Sequence, residues 1–150
     1  MRMRRGLAAL PSMLLAALAL LVGCSSNPGL EYIPSGGTYT MQQAQQVAAA
    51  ISLDGVEGIK TSSASVLRTE RLRQLRSEGP AASDLADALT KDFPSDTSAV
   101  PLRVEAARVD GVKVWIIIEA WGDDLGTLEH RRLWVMDRTS LGIVGSSSFR

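Results

Sequence analysis

The chain has 150 residues, of which 45% are hydrophobic, and this size and composition allow one folded domain and argue against two. The 16 basic and 16 acidic residues balance, but Arg2, Arg4 and Arg5 are N-terminal and every acidic residue lies beyond position 30. Subtracting these three arginines leaves 13 basic against 16 acidic residues, which argues against nucleic acid as a partner. The single cysteine excludes an internal disulfide framework.

The N-terminal residues have the pattern of a secretory signal. A short basic stretch precedes an apolar run over 6–23, so the cations stay in the cytoplasm while the apolar run partitions into the bilayer. Residues 21–24 read Leu-Val-Gly-Cys and resemble the lipobox of bacterial lipoproteins. The resemblance implies cleavage before Cys24 and acylation of Cys24. A retained membrane helix over the same run is disfavoured by Pro11 and by the position of the only cysteine.

The lipobox resemblance therefore predicts a lipid-anchored protein of the bacterial cell envelope, with membrane lipid as a permanent partner through the acyl chains. Ser25 follows Cys24, which indicates the outer membrane in a Gram-negative cell, whereas a Gram-positive cell would keep the anchor on the outer face of the plasma membrane. The sequence leaves these two locations open. Residues 1–23 are predicted as the signal peptide, 24–39 as a flexible tether rich in Ser, Pro and Gly, and 40–150 as a single domain.

Helical patterns occupy the first half of this domain. Thr40 and Gln43 fit a capping box, and the apolar positions that follow predict a helix over 41–53 that ends at Asp54-Gly55. Residues 57–68 fit a strand or a loop. A helix-forming string over 69–78 follows, and Leu85, Leu89 and Phe93 indicate an amphipathic helix over 81–93.

After Pro101 the apolar period becomes two, which predicts strands. Asp110-Gly111 indicates a hairpin turn, and the strand 112–121 is apolar on both faces, as in a central strand. A two-residue turn would set Arg108 opposite Lys113, a repulsive pair that favours a longer or bulged turn. A loop over 122–130 and strands over 131–138 and 141–149 complete the chain.

The predicted fold is α+β, with two or three helices packed on a C-terminal four-stranded antiparallel meander. The strand residues 114–118, followed by Val-Met-Asp at 135–137 and Gly-Ile-Val at 142–144, resemble the C-terminal hairpin of the small PepSY-type domains of bacterial envelope proteins. The turn from 137 to 142 is one residue longer than is usual in that family. The resemblance implies a regulatory or inhibitory role.

Few residues of the chain suit catalysis or metal binding. His130 is the only candidate general base, and serines abound at 62, 63 and 146–148, but none lies in a nucleophile motif. One histidine and one acylated cysteine exclude the ordinary zinc ligand sets. Asp123, Asp124 and Glu129 lack the alternation of a calcium loop, and a Gly-x-x-Gly pattern at 55–58 lacks the basic surroundings of an RNA-binding loop. No cofactor or metal is therefore expected.

Two sets of residues are candidates for partner binding. Arg68, Arg71, Arg73 and Arg76 form the one basic cluster, interpreted either as a solvated helix or as a contact for anionic headgroups, cell-wall polymer or protein. Trp115, Trp121 and Trp134 are interpreted as core or sheet-face residues, or as a ligand platform. The sequence favours a non-catalytic binding, regulatory or structural module of the envelope, with a small hydrolase using His130 and a serine as the alternative.

Overall fold

Three helices and six strands make up the fold, as seen in a computed structural model that describes residues 29–93 and 98–150. The signal peptide, Cys24 and the start of the predicted tether lie outside the described residues. The elements in chain order are β1 (Glu31–Ile33), β2 (Thr38–Tyr39), α1 (Met41–Ala50), a 3₁₀ turn (Thr61–Ser63), α2 (Ala64–Arg76), α3 (Pro80–Lys91), β3 (Val100–Val109), β4 (Val112–Trp121), β5 (His130–Asp137) and β6 (Ile143–Phe149).

The strands form one sheet in the order β1-β3-β4-β5-β6, and β2 also pairs with β3. The pairs β3–β4, β4–β5 and β5–β6 are antiparallel, whereas β1 and β2 run parallel to β3. The α+β class is confirmed, and the sheet has six strands where four were predicted.

The two additional strands come from the segment that was predicted to be a tether. Tyr32 pairs with Val104 and Tyr39 with Val109, so the tether prediction is wrong for residues 31–33 and 38–39. Leu30 is buried in the core, and the Tyr32 ring lies 6.4 Å from that of Trp115. Apolar burial and strand hydrogen bonds therefore fix a stretch whose Pro, Ser and Gly content is typical of a linker.

Strand β4 is central and covered on both faces, as its sequence predicts. Trp115 and Ile117 pack against α2 and α3 in one cluster, while Ile116 and Ile118 pack against α1 in another. The alternation of side chains along a strand places these two sets on opposite faces. The helices therefore lie on both sides of the sheet.

Helix α1 begins at the predicted capping box, in which the Thr40 hydroxyl accepts from the Gln43 amide and the Gln43 side chain accepts from the Thr40 amide. It ends at Ala50, before the predicted Asp54-Gly55. Ile51 takes an extended conformation, and the Arg131 guanidinium donates to its carbonyl at 2.7 Å. An arginine from β5 thus satisfies a carbonyl at the end of the helix.

Residues 57–68, left open between strand and loop, are neither for most of their length. The 3₁₀ turn Thr61–Ser63 leads directly into α2, which begins at Ala64. Ala64 is fully buried in a third cluster with Val56, Val100 and Leu128. Tertiary burial therefore selects a helix where the Ser, Thr and Val content favours a strand.

The β3–β4 hairpin has a two-residue turn. Asp110 and Gly111 both have positive φ, at 49° and 83°, and Arg108 lies directly opposite Lys113. The expectation of a longer or bulged turn is therefore wrong. The Arg108 guanidinium donates to the Gly111 carbonyl at 3.0 Å, and this hydrogen bond offsets the repulsion from the Lys113 ammonium.

Candidate binding site

Arg68 of α2 is buried and bonded to Glu119 in the middle of the sheet. Its Nη1 lies 2.7 Å from Glu119 Oε1 and also donates to the Ala99 carbonyl at 3.0 Å. Arg132 and the Trp134 indole donate to the other carboxylate oxygen at 2.8 and 3.0 Å. Both oxygens of the buried Glu119 carboxylate therefore accept hydrogen bonds, as a buried charge requires.

The environment of Glu119 favours its ionised form. Burial by itself raises the pKa of the Glu119 carboxyl, but the charges of Arg68 and Arg132 outweigh this effect and hold the pKa below its ordinary value. The acidic residue within the apolar run 114–121 is a signal in the sequence from which a buried cation could have been predicted.

The four arginines predicted as one basic surface divide into two kinds. Arg68 and Arg71 are buried, and Arg71 donates to the Pro101 carbonyl at 3.3 Å, so the solvated-surface interpretation is wrong for both. Burial lowers the pKa of Arg71, and the neighbouring Glu70 opposes that effect. Arg73 and Arg76 are on the outside, where they pair with Glu70 and Asp87 at 3.0 and 2.8 Å. The structure does not bring the four together as one patch.

A second buried carboxylate, Glu105, ties β2 and the preceding turn to β3. Its oxygens accept from the Tyr39 hydroxyl at 2.9 Å, the Gly37 amide at 2.8 Å and Arg103 at 2.8 Å. A Cβ at Gly36 would collide with the Glu105 side chain, so the turn depends on glycine there. Burial and the hydrogen bond to Glu105 raise the pKa of Tyr39. The hydrogen bonds of Glu105 therefore hold the fold together, as those of Glu119 do.

His130 begins β5 and contacts an aromatic ring and two carboxylates. Its ring centroid lies 4.9 Å from that of Trp121, and its Nε2 lies 3.8 Å from Asp123 and 3.7 Å from Glu129. No serine hydroxyl of the described residues hydrogen-bonds to it. The geometry offers an acid beside the imidazole but supplies no nucleophile that the imidazole could activate.

The acidic loop is held by cations at its side. Asp123 lies 3.6 Å from Arg150, whose guanidinium also lies 5.3 Å over the Trp121 ring. Within residues 29–93 and 98–150 no group of three or more His, Cys, Asp or Glu side chains is placed to hold a metal ion. Gly55 and Gly58 both have positive φ and lie in turns.

The three tryptophans do not form a common platform. Trp115 is buried in the core, Trp134 donates to Glu119 and packs against Phe93 at 5.3 Å, and Trp121 lies beside His130. Trp115 and Trp134 therefore have the core and sheet-face roles that the sequence predicts.

A groove of about 820 Å³ opens beside α2 and is the site we consider for a partner. Its aliphatic lining comes from Ile59, Val66 and Leu67, and its charged lining from Lys60, Glu70 and Arg71. Val66 is 76% exposed, so its side chain is accessible to a partner in the groove. The lining also includes Gly29, the first described residue, which lies five positions after Cys24.

No helix of the described residues is long and apolar enough to cross a membrane. Comparison of the chain with protein-family models, with curated proteins and with solved structures finds no match. The candidate site is therefore argued from its own geometry.

Proposed function

We propose that this protein is a lipid-anchored lipoprotein of the bacterial cell envelope that binds another envelope protein and is not an enzyme. The lipobox-like residues 21–24 support the anchor, and the four-stranded meander predicted over 102–149 is proposed as the scaffold of the binding domain. The resemblance of 114–118, 135–137 and 142–144 to PepSY-type domains favours a regulatory or inhibitory role over a purely structural one.

The observation that carries the proposal is the groove beside α2. Its aliphatic lining suits the apolar side chains of a protein segment, and the exposed Lys60 offers positive charge to a carboxylate of that segment. A carbohydrate polymer is the weaker candidate because no aromatic ring of residues 29–93 and 98–150 lines the groove.

The position of the groove fits an anchored binder. Gly29 follows Cys24 by five positions, and an extended chain of five residue steps reaches at most about 18 Å. The groove would thus stay close to the bilayer surface, and confinement there raises the effective concentration of a partner held in the same membrane.

The ion pairs favour binding over catalysis. Glu119 and Glu105 have full sets of hydrogen-bond donors, and His130 contacts Trp121 and carboxylates but no serine hydroxyl of the described residues. The rival hydrolase would need His130 to activate a serine, which requires a hydrogen bond that this arrangement lacks.

A photo-crosslinking residue placed at position 66 in intact cells tests the site. Position 112 is the matched control, because Val112 is also an exposed valine, at 47%, and lies on the β3–β4 hairpin. We expect an envelope protein to be captured from position 66 and not from position 112.

Capture of a glycan polymer at position 66, or equal capture at both positions, would contradict the protein-binding proposal. Turnover of an ester or peptide substrate that is lost in His130→Ala would replace it with the hydrolase.

A further inference from the structure

The two edges of the sheet differ in how they are covered. On one side, β1 and β2 pair with β3 and cover its outer edge. Between these two short strands, the Gly36 amide donates to the Ala106 carbonyl and the Gly37 carbonyl accepts from the Arg108 amide. On the other side, no strand of the described residues pairs with the outer edge of β6. Backbone amides and carbonyls of β6 are therefore open to a further strand.

The sequence of β6 carries neither of the two residue types that commonly keep edge strands from pairing, charged residues and proline. It reads Ile-Val-Gly-Ser-Ser-Ser-Phe, without charge and without proline, and Ile143 and Val144 are 48% and 53% exposed. One irregularity is present, because Val144 is the extra residue of a bulge opposite Val135 and Met136. The strand from Gly145 to Phe149 pairs regularly with β5, so its outer edge is extended and regular as well.

One face of β6 is covered by α1, and a partner laid on that face would displace the contacts made there. The Gln45 side chain donates to the Ser147 hydroxyl at 2.9 Å, and the Met41 side chain lies against Gly145. A partner that joins in the plane of the sheet avoids both contacts.

We propose that β6 pairs antiparallel with β6 of a second copy of this chain, across a two-fold axis near Ser147. This register sets Ser147 against its own copy, Ser146 against Ser148, and Gly145 against Phe149. Each pair is uncharged, and Arg150 comes opposite Val144 and not opposite another cation. A strand that is self-complementary in this way suits the isologous contact of a two-fold dimer.

The same operation at the opposite edge would be unfavourable. Strand β1 has only three residues and carries Glu31, so a two-fold pair about Tyr32 would bring Glu31 against Ile33 and leave the charge beside an apolar side chain. A charged partner strand would form no ion pair with β6, because β6 contains no charged residue. Its own copy is the occupant that the strand chemistry favours.

Disulfide crosslinking of the full chain in membranes tests the proposal. Ser147→Cys should give a band of twice the monomer mass, because opposite residues of an antiparallel pair lie within the Cα separation that a disulfide spans. Ser65→Cys is the control, since Ser65 is an exposed serine on α2, away from the edge of the sheet. The parent chain measures any background from Cys24.

A charge at the edge provides the second measurement. Adding Ser146→Lys to Ser147→Cys places lysines on both sides of the axis and should abolish the dimer band, whereas Ser65→Lys added to Ser147→Cys should leave it. Circular dichroism checks that each variant keeps the fold, and Ser148→Lys replaces Ser146→Lys if the latter does not.

A dimer band that is equal at positions 65 and 147, a band that survives both lysine variants, or a monomer throughout would overturn the proposal. A crosslinked product whose mass is not twice that of the chain would also overturn it, because it would assign the edge to another protein. These outcomes do not depend on what the α2 groove binds.

Discussion

The guanidinium of Arg68 on α2 donates to the Glu119 carboxylate on β4 at 2.7 Å, and both side chains are almost fully buried. This ion pair joins the helical layer to the centre of the sheet. Arg68 is the first of four arginines on α2. Two of the others, Arg73 and Arg76, pair with acidic residues on the surface. The same residue type thus has a core role and a surface role within two helical turns.

Arg68→Met should lower the free energy of unfolding by about 3 kcal/mol, because it leaves the buried Glu119 carboxylate short of a cation. Arg73→Met is the matched control on the same helix and should change it by at most about 0.5 kcal/mol, because the Arg73–Glu70 pair is exposed. Urea unfolding of both variants measures the difference. Equal effects would show that the Arg68 pair contributes no more than a surface one.

The stabilisation from Glu119 should depend on pH. Its pKa is held below the ordinary value, so the contribution is complete above the unfolded-state pKa, about 4.3, and is lost as the pH falls through the folded-state pKa. We expect Glu119→Gln to be less stable than the parent at pH 7, with a gap that narrows below about pH 4. Unfolding curves from pH 7 to pH 3 measure it, and a gap that widens on acidification would contradict the assignment.

Tyr39→Phe should cost about 1–2 kcal/mol of stability, because it removes the hydroxyl that donates to the buried Glu105 carboxylate. Tyr32→Phe is the control, since the Tyr32 hydroxyl makes no hydrogen bond among the described residues, and it should cost less than about 0.5 kcal/mol. Thermal unfolding followed by circular dichroism compares the two. A larger loss in Tyr32→Phe would mean that ring packing, and not the Glu105 contact, dominates in this segment.

Ile117→Asp should prevent folding, because Ile117 is fully buried among apolar side chains in the central strand, where an introduced carboxylate would lose its hydration. Val112→Asp, also on β4 but 47% exposed, should be tolerated. Circular dichroism distinguishes the two. Parent-like stability of the Ile117 variant would contradict its burial.

Cys24→Ala should abolish acylation and leave either an unprocessed precursor or an unanchored exported form. The reason is that the thiol of Cys24 is the proposed site of lipid attachment, and one replacement removes it. Mass spectrometry of the membrane-extracted parent and variant measures the result. An unmodified Cys24 in the parent, or a mature terminus elsewhere, would end the lipoprotein proposal.

Local patterns predicted the parts of the fold that depend on neighbouring residues. The capping box of Thr40 and Gln43, the Asp110-Gly111 turn and the two-sided burial of 112–121 are confirmed, because caps, turns and strand alternation are set by residues within a few positions of one another. The α+β class follows from the order of these elements. The candidate binding site could not be predicted in the same way, since the groove joins residues near 29, 59 and 71 that only folding brings together.

By itself the sequence determined the α+β class and the order in which helices precede the strands β3 to β6, whereas the lipobox at 21–24 stays a prediction. Only the tertiary structure decided that residues 31–33 and 38–39 are strands, that Arg68 and Arg71 are buried, and that residues 64–68 are helical. The physical reason is that each of these depends on a partner far along the chain: Val104 and Val109 for the added strands, Glu119 for Arg68, and the cluster of Val56, Val100 and Leu128 for the start of α2. A charged or linker-like residue is assigned to the surface by its own chemistry, and only the group that it meets in the fold can reverse that assignment.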